Sequence, residues 1–125
     1  METSTRSLMP VHAALAQGLL DLGVRDLFGV IGEGNLYVVD SFSRVLGGRY
    51  VPAAHESGAV LMATGYAQIS GEVGVATVTH GPGLTNAVTA LVEAGRSQAP
   101  VLLIAGDIPE SEPAHLQYIG QREVI

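Results

Sequence analysis

The chain contains no cysteine and no tryptophan, and all six of its basic residues are arginine. Without cysteine there is no disulfide framework, no thiol nucleophile and no thiolate metal site. Charge is also scarce: charged residues make up 14% of the sequence and the formal net charge is −6. The scattered arginines form no cluster able to neutralise phosphates, which excludes nucleic acid as a partner. No apolar run reaches the ~18 residues that a membrane span requires. The start, Met1-Glu2-Thr3-Ser4-Thr5-Arg6, lacks the apolar core of a signal peptide. A soluble, cytoplasmic protein is the expectation. No Gly-Lys-Ser/Thr sequence is present, so a P-loop is excluded. His12, His55, His80 and His115 show no metal-ligand spacing, so no metal site is expected, and His12 is expected on an exposed helix face.

Hydrophobic residues and glycine are abundant instead, at 47% and 16 residues of a 125-residue chain. That length allows one domain with a real core. Low charge with much Gly and Ala suggests a sheet covered on both faces. Ser7 to Gly23 reads as a helix, with Leu8, Val11, Leu15, Leu19 and Leu22 at helical spacing and Pro10 in its first turn. Strands are expected near residues 26–31, 50–54, 73–79 and 100–105. Helices are expected from Asn35 to Leu46, after Glu56, and from Leu84 to about Gly95. The alternation predicts an α/β fold of three layers: a doubly wound, mostly parallel sheet with helices on both faces. The chain becomes rich in Pro and Glu after Gly106-Asp107 and stops soon after. It therefore reads as truncated before the end of its domain.

Three turns follow strands: Gly32-Glu33-Gly34-Asn35, His55-Glu56-Ser57-Gly58 and His80-Gly81-Pro82-Gly83. All should lie at the carboxyl edge of the sheet, where open α/β folds bind ligands. Glu56 sits where a strand ends and a helix begins, either as a cap of its own helix or as a chemical group. Gly58, Ala59, Ala63, Gly65 and Ala67 leave little bulk on that helix, so a backbone or flat ligand can approach closely. Gly32-x-Gly34 invites a dinucleotide reading, but the third glycine of that pattern would fall at Tyr37, which disfavours it.

Taken together, His55-Glu56, Gly58-Ala59, Thr64-Gly65-Tyr66-Ala67, Gly81-Pro82-Gly83 with Thr85-Asn86, and Pro100-Val101 with Ala105-Gly106 carry a family resemblance. Over residues 8–125 the chain resembles the N-terminal, pyrimidine-binding domain of thiamine-diphosphate-dependent enzymes. Acetolactate synthase, pyruvate oxidase, benzaldehyde lyase and the 2-oxoacid decarboxylases form this group. The stretch from Phe28 to Leu36 resembles the decarboxylase branch, with Ile31 in place of Pro and Glu33 in place of Asp. His80 replaces the more usual Ser or Ala.

The resemblance implies that Glu56 hydrogen-bonds N1′ of the cofactor aminopyrimidine and favours the tautomer that takes the proton from thiazolium C2. The cofactor then attacks a 2-oxo carbonyl and serves as electron sink. Further roles follow from the match. Glu33 either shapes the substrate pocket or complements a helix dipole as a first-turn acid. His115 approaches the substrate or is a solvated loop residue, and Gln121 lines the pocket. Gly32 and His80 lie at the cofactor edge, His80 either touching substrate or pyrimidine or satisfying backbone. Gly81, Pro82 and Gly83 fix their turn, while Asn86 bonds the turn or a neighbouring subunit. His55 orients its neighbour.

The family holds the diphosphate through Mg²⁺ on a Gly-Asp-Gly segment of a separate domain, and Gly106-Asp107-Ile108 does not match it. The expected whole is thus a longer lyase or transferase that decarboxylates or ligates 2-oxo acids. It would be a homodimer or homotetramer in which this domain meets a diphosphate-binding domain, and the 125 residues alone would be inactive. A small subunit of a two-chain enzyme and a non-catalytic α/β binding module are the alternatives.

Overall fold

The structure is a computed structural model and describes residues 8–125. Four strands form one sheet: β1 (Asp26–Gly29), β2 (Arg49–Pro52), β3 (Gly74–Val78) and β4 (Val101–Ala105). All neighbours are parallel and their order is β2-β1-β3-β4. Between them run α1 (Val11–Asp21), α2 (Leu36–Asp40, continued by a π-helical turn over Ser41–Val45), α3 (Glu56–Ser70) and α4 (Pro82–Arg96). A short 3-10 turn, Gln121–Glu123, follows the long segment after β4.

Side-chain alternation along the strands splits the core in two. Phe28, Ala76 and Val78 point to α3 and α4, where Ala59, Val60, Ala63, Ala87 and Ala90 meet them. Leu27 and Val75 point to the opposite face, against Ala16 and Leu19 of α1 and Val39 and Phe42 of the α2 segment. The chain steps one way from β1 to β2 and the other way from β2 across to β3 and β4. With right-handed crossovers that reversal puts α2 on one face and α3 and α4 on the other, making the doubly wound, three-layer fold. The connections leaving β1 and β3, adjacent strands, therefore diverge, and a crevice opens between their carboxyl ends.

Two expectations about helices change. Residues 8–10 precede α1 rather than belong to it, and the expected start at Ser7 lies outside the described residues. The sheet-facing side of α1 is Ala16 and Leu19, whereas Leu8, Val11, Leu15 and Leu22 are exposed. A small residue lets the helix backbone approach the sheet; of the expected stripe Leu19 turns inward and the other four face outward. His12 is half-buried rather than on a free face: its Nδ1 lies 2.9 Å from Ser41 Oγ and its ring packs on Tyr37 at 5.6 Å.

The small residues of α3 serve the domain's own core. Ala59, Ala63 and Ala67 are buried in the sheet face, and β3 runs so close beneath them that a Cβ on Gly74 would lie 2.0 Å from Ala63 O. Gly65 keeps open space beside it, while a Cβ on Gly58 would lie 3.9 Å from the Ala53 side chain, an ordinary contact. At the amino edge Arg49 pairs with Asp26 across the β1–β2 register, an exposed contact that aligns more than it stabilises. Among the described residues no helix is long and apolar enough to cross a membrane.

Candidate active site

The three expected turns do meet at the carboxyl edge. After β1, the Asn35 side chain folds back into the turn: it accepts from Gly32 N at 2.8 Å and donates to Val30 O at 3.0 Å and Thr77 Oγ1 at 3.2 Å. Asn35 is buried, and its amide fixes the crevice wall where β1 and β3 lie side by side. The N–H of Gly32 is therefore engaged within the chain. Gly34 N donates to Thr79 Oγ1 at 3.0 Å, tying this turn to the one after β3.

Glu33 is exposed in the same turn and precedes α2, which has no acid in its first turn. Helical backbone runs from Leu36 through Val45 just after it, and Leu36 N already bonds Gly32 O at 3.0 Å, so Glu33 stands at the entry of that helical stretch. Glu33 also faces a depression of about 550 Å³ with Ala114, His115, Leu116 and Gln117.

After β3 the chain turns at Gly81, whose φ of 60° and ψ of −113° lead into α4 with Pro82 at its first position. Gly83 N bonds back to His80 O at 3.4 Å. His80 is 5% exposed, and its Nδ1 is a buried polar atom with no partner in the chain. Its ring stands edge-on to His115, with centroids 5.5 Å apart. His115 Nδ1 accepts from Gln117 N at 3.1 Å, which orients that imidazole. The two imidazoles thus link the β3 turn to the depression that Glu33 lines.

Glu56 opens α3 beyond β2, with His55 capping the helix by accepting from Ser57 N at 3.2 Å. His55 is a cap, as a residue that orients its neighbour should be. The Glu56 carboxylate is half-buried, and its Oε2 accepts from Asn86 Nδ2 at 3.1 Å. Ser57 Oγ donates to Asn86 O at 2.5 Å, so α3 and α4 are stitched together at the acid. No other hydrogen bond reaches the Glu56 carboxylate among the described residues, so Oε1 has no partner there. Glu56 does not line the Glu33–His115 depression; Asn86 and α4 connect it to the β3 turn.

Gln121 is 8% exposed and uses both ends of its amide on backbone, accepting from Gly81 N at 2.6 Å and donating to Gly106 O at 2.9 Å. Asn35, Thr79 and Ser57 also shape the edge; the sequence places Asn35 and Ser57 in its turns, but their bonds to Thr77 and Asn86, and that of Thr79 to Gly34, join residues far apart in the chain. Among the described residues there is no group of three or more His, Cys, Asp or Glu able to hold a metal ion.

The family model described as "Thiamine pyrophosphate enzyme, N-terminal TPP binding domain" matches residues 9–123. The acetolactate synthase large subunit of Lactococcus lactis is 42% identical over 92 residues, which is 74% of this chain and 16% of that protein. The isozyme 3 large subunit of acetolactate synthase from Escherichia coli is 39% identical over 97 residues, covering 78% of this chain and 17% of its own length. The acetolactate synthase of Mycobacterium bovis is 41% identical over 95 residues, or 76% of this chain and 15% of that protein. The chain spans about a sixth of the length of these relatives. With the family model matching nearly end to end, and with the parallel sheet and its carboxyl-edge acid in place, the chain belongs to the thiamine pyrophosphate enzymes, as their N-terminal TPP binding domain.

Proposed function

We propose that this domain binds the pyrimidine end of thiamine diphosphate and that Glu56 is the acid–base group that activates it. The observation that carries the reading is the Glu56 carboxylate: one oxygen is held by Asn86 and the other has no partner in the chain. Such a group fits a ring nitrogen that shares a proton. Bound thiamine diphosphate supplies a nucleophilic carbon and an electron sink for chemistry on a 2-oxo acid. Glu56 holds the shared proton at its free oxygen, and Asn86 and Ser57 keep the carboxylate from rotating away. Asn86 donates to the acid, so it stabilises the charged form that the proton leaves behind.

The remaining edge residues serve the substrate. His115 and His80 offer imidazole nitrogens beside the depression, suited to the carboxylate of a 2-oxo acid, while Glu33 is placed for proton traffic at its rim. The full-length protein then decarboxylates or ligates 2-oxo acids as a lyase or transferase, in keeping with its acetolactate synthase relatives. Mg²⁺ and the diphosphate are held by another domain. The outer faces of α3 and α4 support docking of that domain from a second chain: Leu61, Val88 and Val92 line an apolar depression of about 500 Å³ rimmed by Glu93 and Arg96.

The test is Glu56→Gln in the full-length protein. Glutamine is nearly isosteric and keeps a hydrogen bond but cannot serve as the acid–base partner. Deuterium exchange at thiazolium C2 should slow by ~10²–10⁴, the loss typical of a positioned acid–base group. Cofactor affinity should fall by about 1.5–3 kcal/mol, one hydrogen bond to a charged group. Equal exchange rates in the two proteins would reduce Glu56 to a helix-terminal residue and remove the centre of the reading.

A further inference from the structure

We propose that Gln121 acts as a positioning residue that clamps the His80–Gly81 turn to the end of β4 and, through α4, holds Glu56 in place; this rests on the role proposed for Glu56. Gly81 opens α4, so its N–H belongs to the group of helix-terminal donors with no intrahelical acceptor. The hydrogen bond between Gly81 N and Gln121 Oε1, at 2.6 Å, is buried. Water therefore does not replace the glutamine at that donor, and leaving a buried N–H unpaired is costly.

The orientation of the Gln121 amide is fixed by its partners. Gly81 N–H needs an acceptor and Gly106 C=O needs a donor, so the oxygen must face the first and the nitrogen the second. A flipped amide would set donor against donor and acceptor against acceptor. Each end of the amide thus makes one bond to backbone.

The clamp closes a ring of contacts around the carboxyl edge. Gly106 lies against the Gly34 turn, so close that a Cβ on it would be 2.9 Å from Gly34 O. Gly34 N in turn bonds Thr79 Oγ1, two residues before Gly81. Three successive connections after β1, β3 and β4 are thus tied to one another. From Gly81 the effect passes into the first turns of α4, where Asn86 bonds Glu56 with its side chain and Ser57 with its carbonyl. Freeing Gly81 N–H loosens the turn that sets where Asn86 stands.

The test uses the full-length protein with two variants of Gln121. Gln121→Met keeps the shape but makes no hydrogen bond; Gln121→Glu keeps an oxygen for Gly81 N. Amide exchange at Gly81 should rise about tenfold in Gln121→Met, the factor one ordinary hydrogen bond supports, while β3 amides stay at wild-type rates. In Gln121→Glu the Gly81 rate should stay at the wild-type value. In Gln121→Met kcat should fall about tenfold with KM for substrate unchanged, as expected when an interaction made in the transition state is weakened.

Wild-type Gly81 exchange in Gln121→Met would overturn the clamp. A rise in KM at constant kcat would mean that Gln121 touches substrate, and would overturn it too. Faster Gly81 exchange with unchanged kcat would break the link to Glu56. Should Gln121→Met fail to fold, Gln121→Asn, one methylene too short to span both groups, reads the same exchange. The Gly81 measurement is independent of cofactor, so a silent Glu56→Gln variant would defeat the proposed function without deciding the clamp.

Discussion

Gly81 combines a positive φ with a backbone carbonyl pressed against it: a Cβ at that position would sit 2.0 Å from Gln117 O. Gly81→Ala must therefore strain the turn and displace the segment that carries His115 and Gln121. We expect a loss of more than about 3 kcal/mol, the sum of a disfavoured φ and an overpacked contact, read as a lower urea midpoint at constant m-value. The other half of the site is more tolerant. Glu56→Gln should leave that midpoint nearly unchanged, because Glu56 lies at a strand-to-helix junction and makes one hydrogen bond to a side chain. Glu56 was legible in the sequence, since a strand, an acid and a helix of small residues are consecutive there. The commitment of Gln121 to backbone was not. Its partners lie 40 and 15 residues away, and neither spacing leaves a local trace.

The strands were legible as elements because each is a short apolar run closed by Gly, Pro or a polar turn. The inward face of α1 was legible only at Leu19, because Ala16 competes with the larger apolar residues of the expected stripe, and the tighter approach wins. The small residues of α3 were read as room for a backbone or flat ligand, and the backbone that takes it at Ala63 is β3. Gly74→Ala tests that packing: a Cβ aimed at Ala63 O has backbone as its obstacle, so the loss should approach the upper end of the about 1–3 kcal/mol that overpacking costs. Two tyrosines add a pH dependence at the level of elements. The Tyr66 hydroxyl donates to Glu72 Oε2 at 2.9 Å, and this bond holds its phenol above the ordinary 10.0. Burial does the same to Tyr50 on β2. A folded value above the unfolded one means stability that is fully present below about pH 10 and is lost as pH rises through the folded values. Urea midpoints measured at rising alkaline pH should fall more steeply for the wild type than for the Tyr50→Phe, Tyr66→Phe double variant. Parallel slopes would contradict both assignments.

At the scale of the whole molecule, the proposed function divides the site between this domain and another. Thiamine diphosphate owes much of its attraction to its charged tail, for which the 125 residues offer no group of metal ligands among those described. Calorimetry on this segment alone should give a dissociation constant weaker than about 1 mM, and micromolar binding would refute the division of the site. Leu61→Arg, which puts a charge in the apolar depression between α3 and α4, should shift the full-length protein toward smaller species in size-exclusion chromatography without changing the fold. An unchanged elution volume would remove that face from the assembly. The clamp at Gln121 also has a meaning in time. A ribosome releases the four strands first, and the sheet can pair once β4 has emerged, but the glutamine that locks its catalytic edge comes later. A nascent chain would thus pass through a stage as a finished scaffold with an unset active-site turn, and proteolysis between β4 and residue 121 would return it to that immature state.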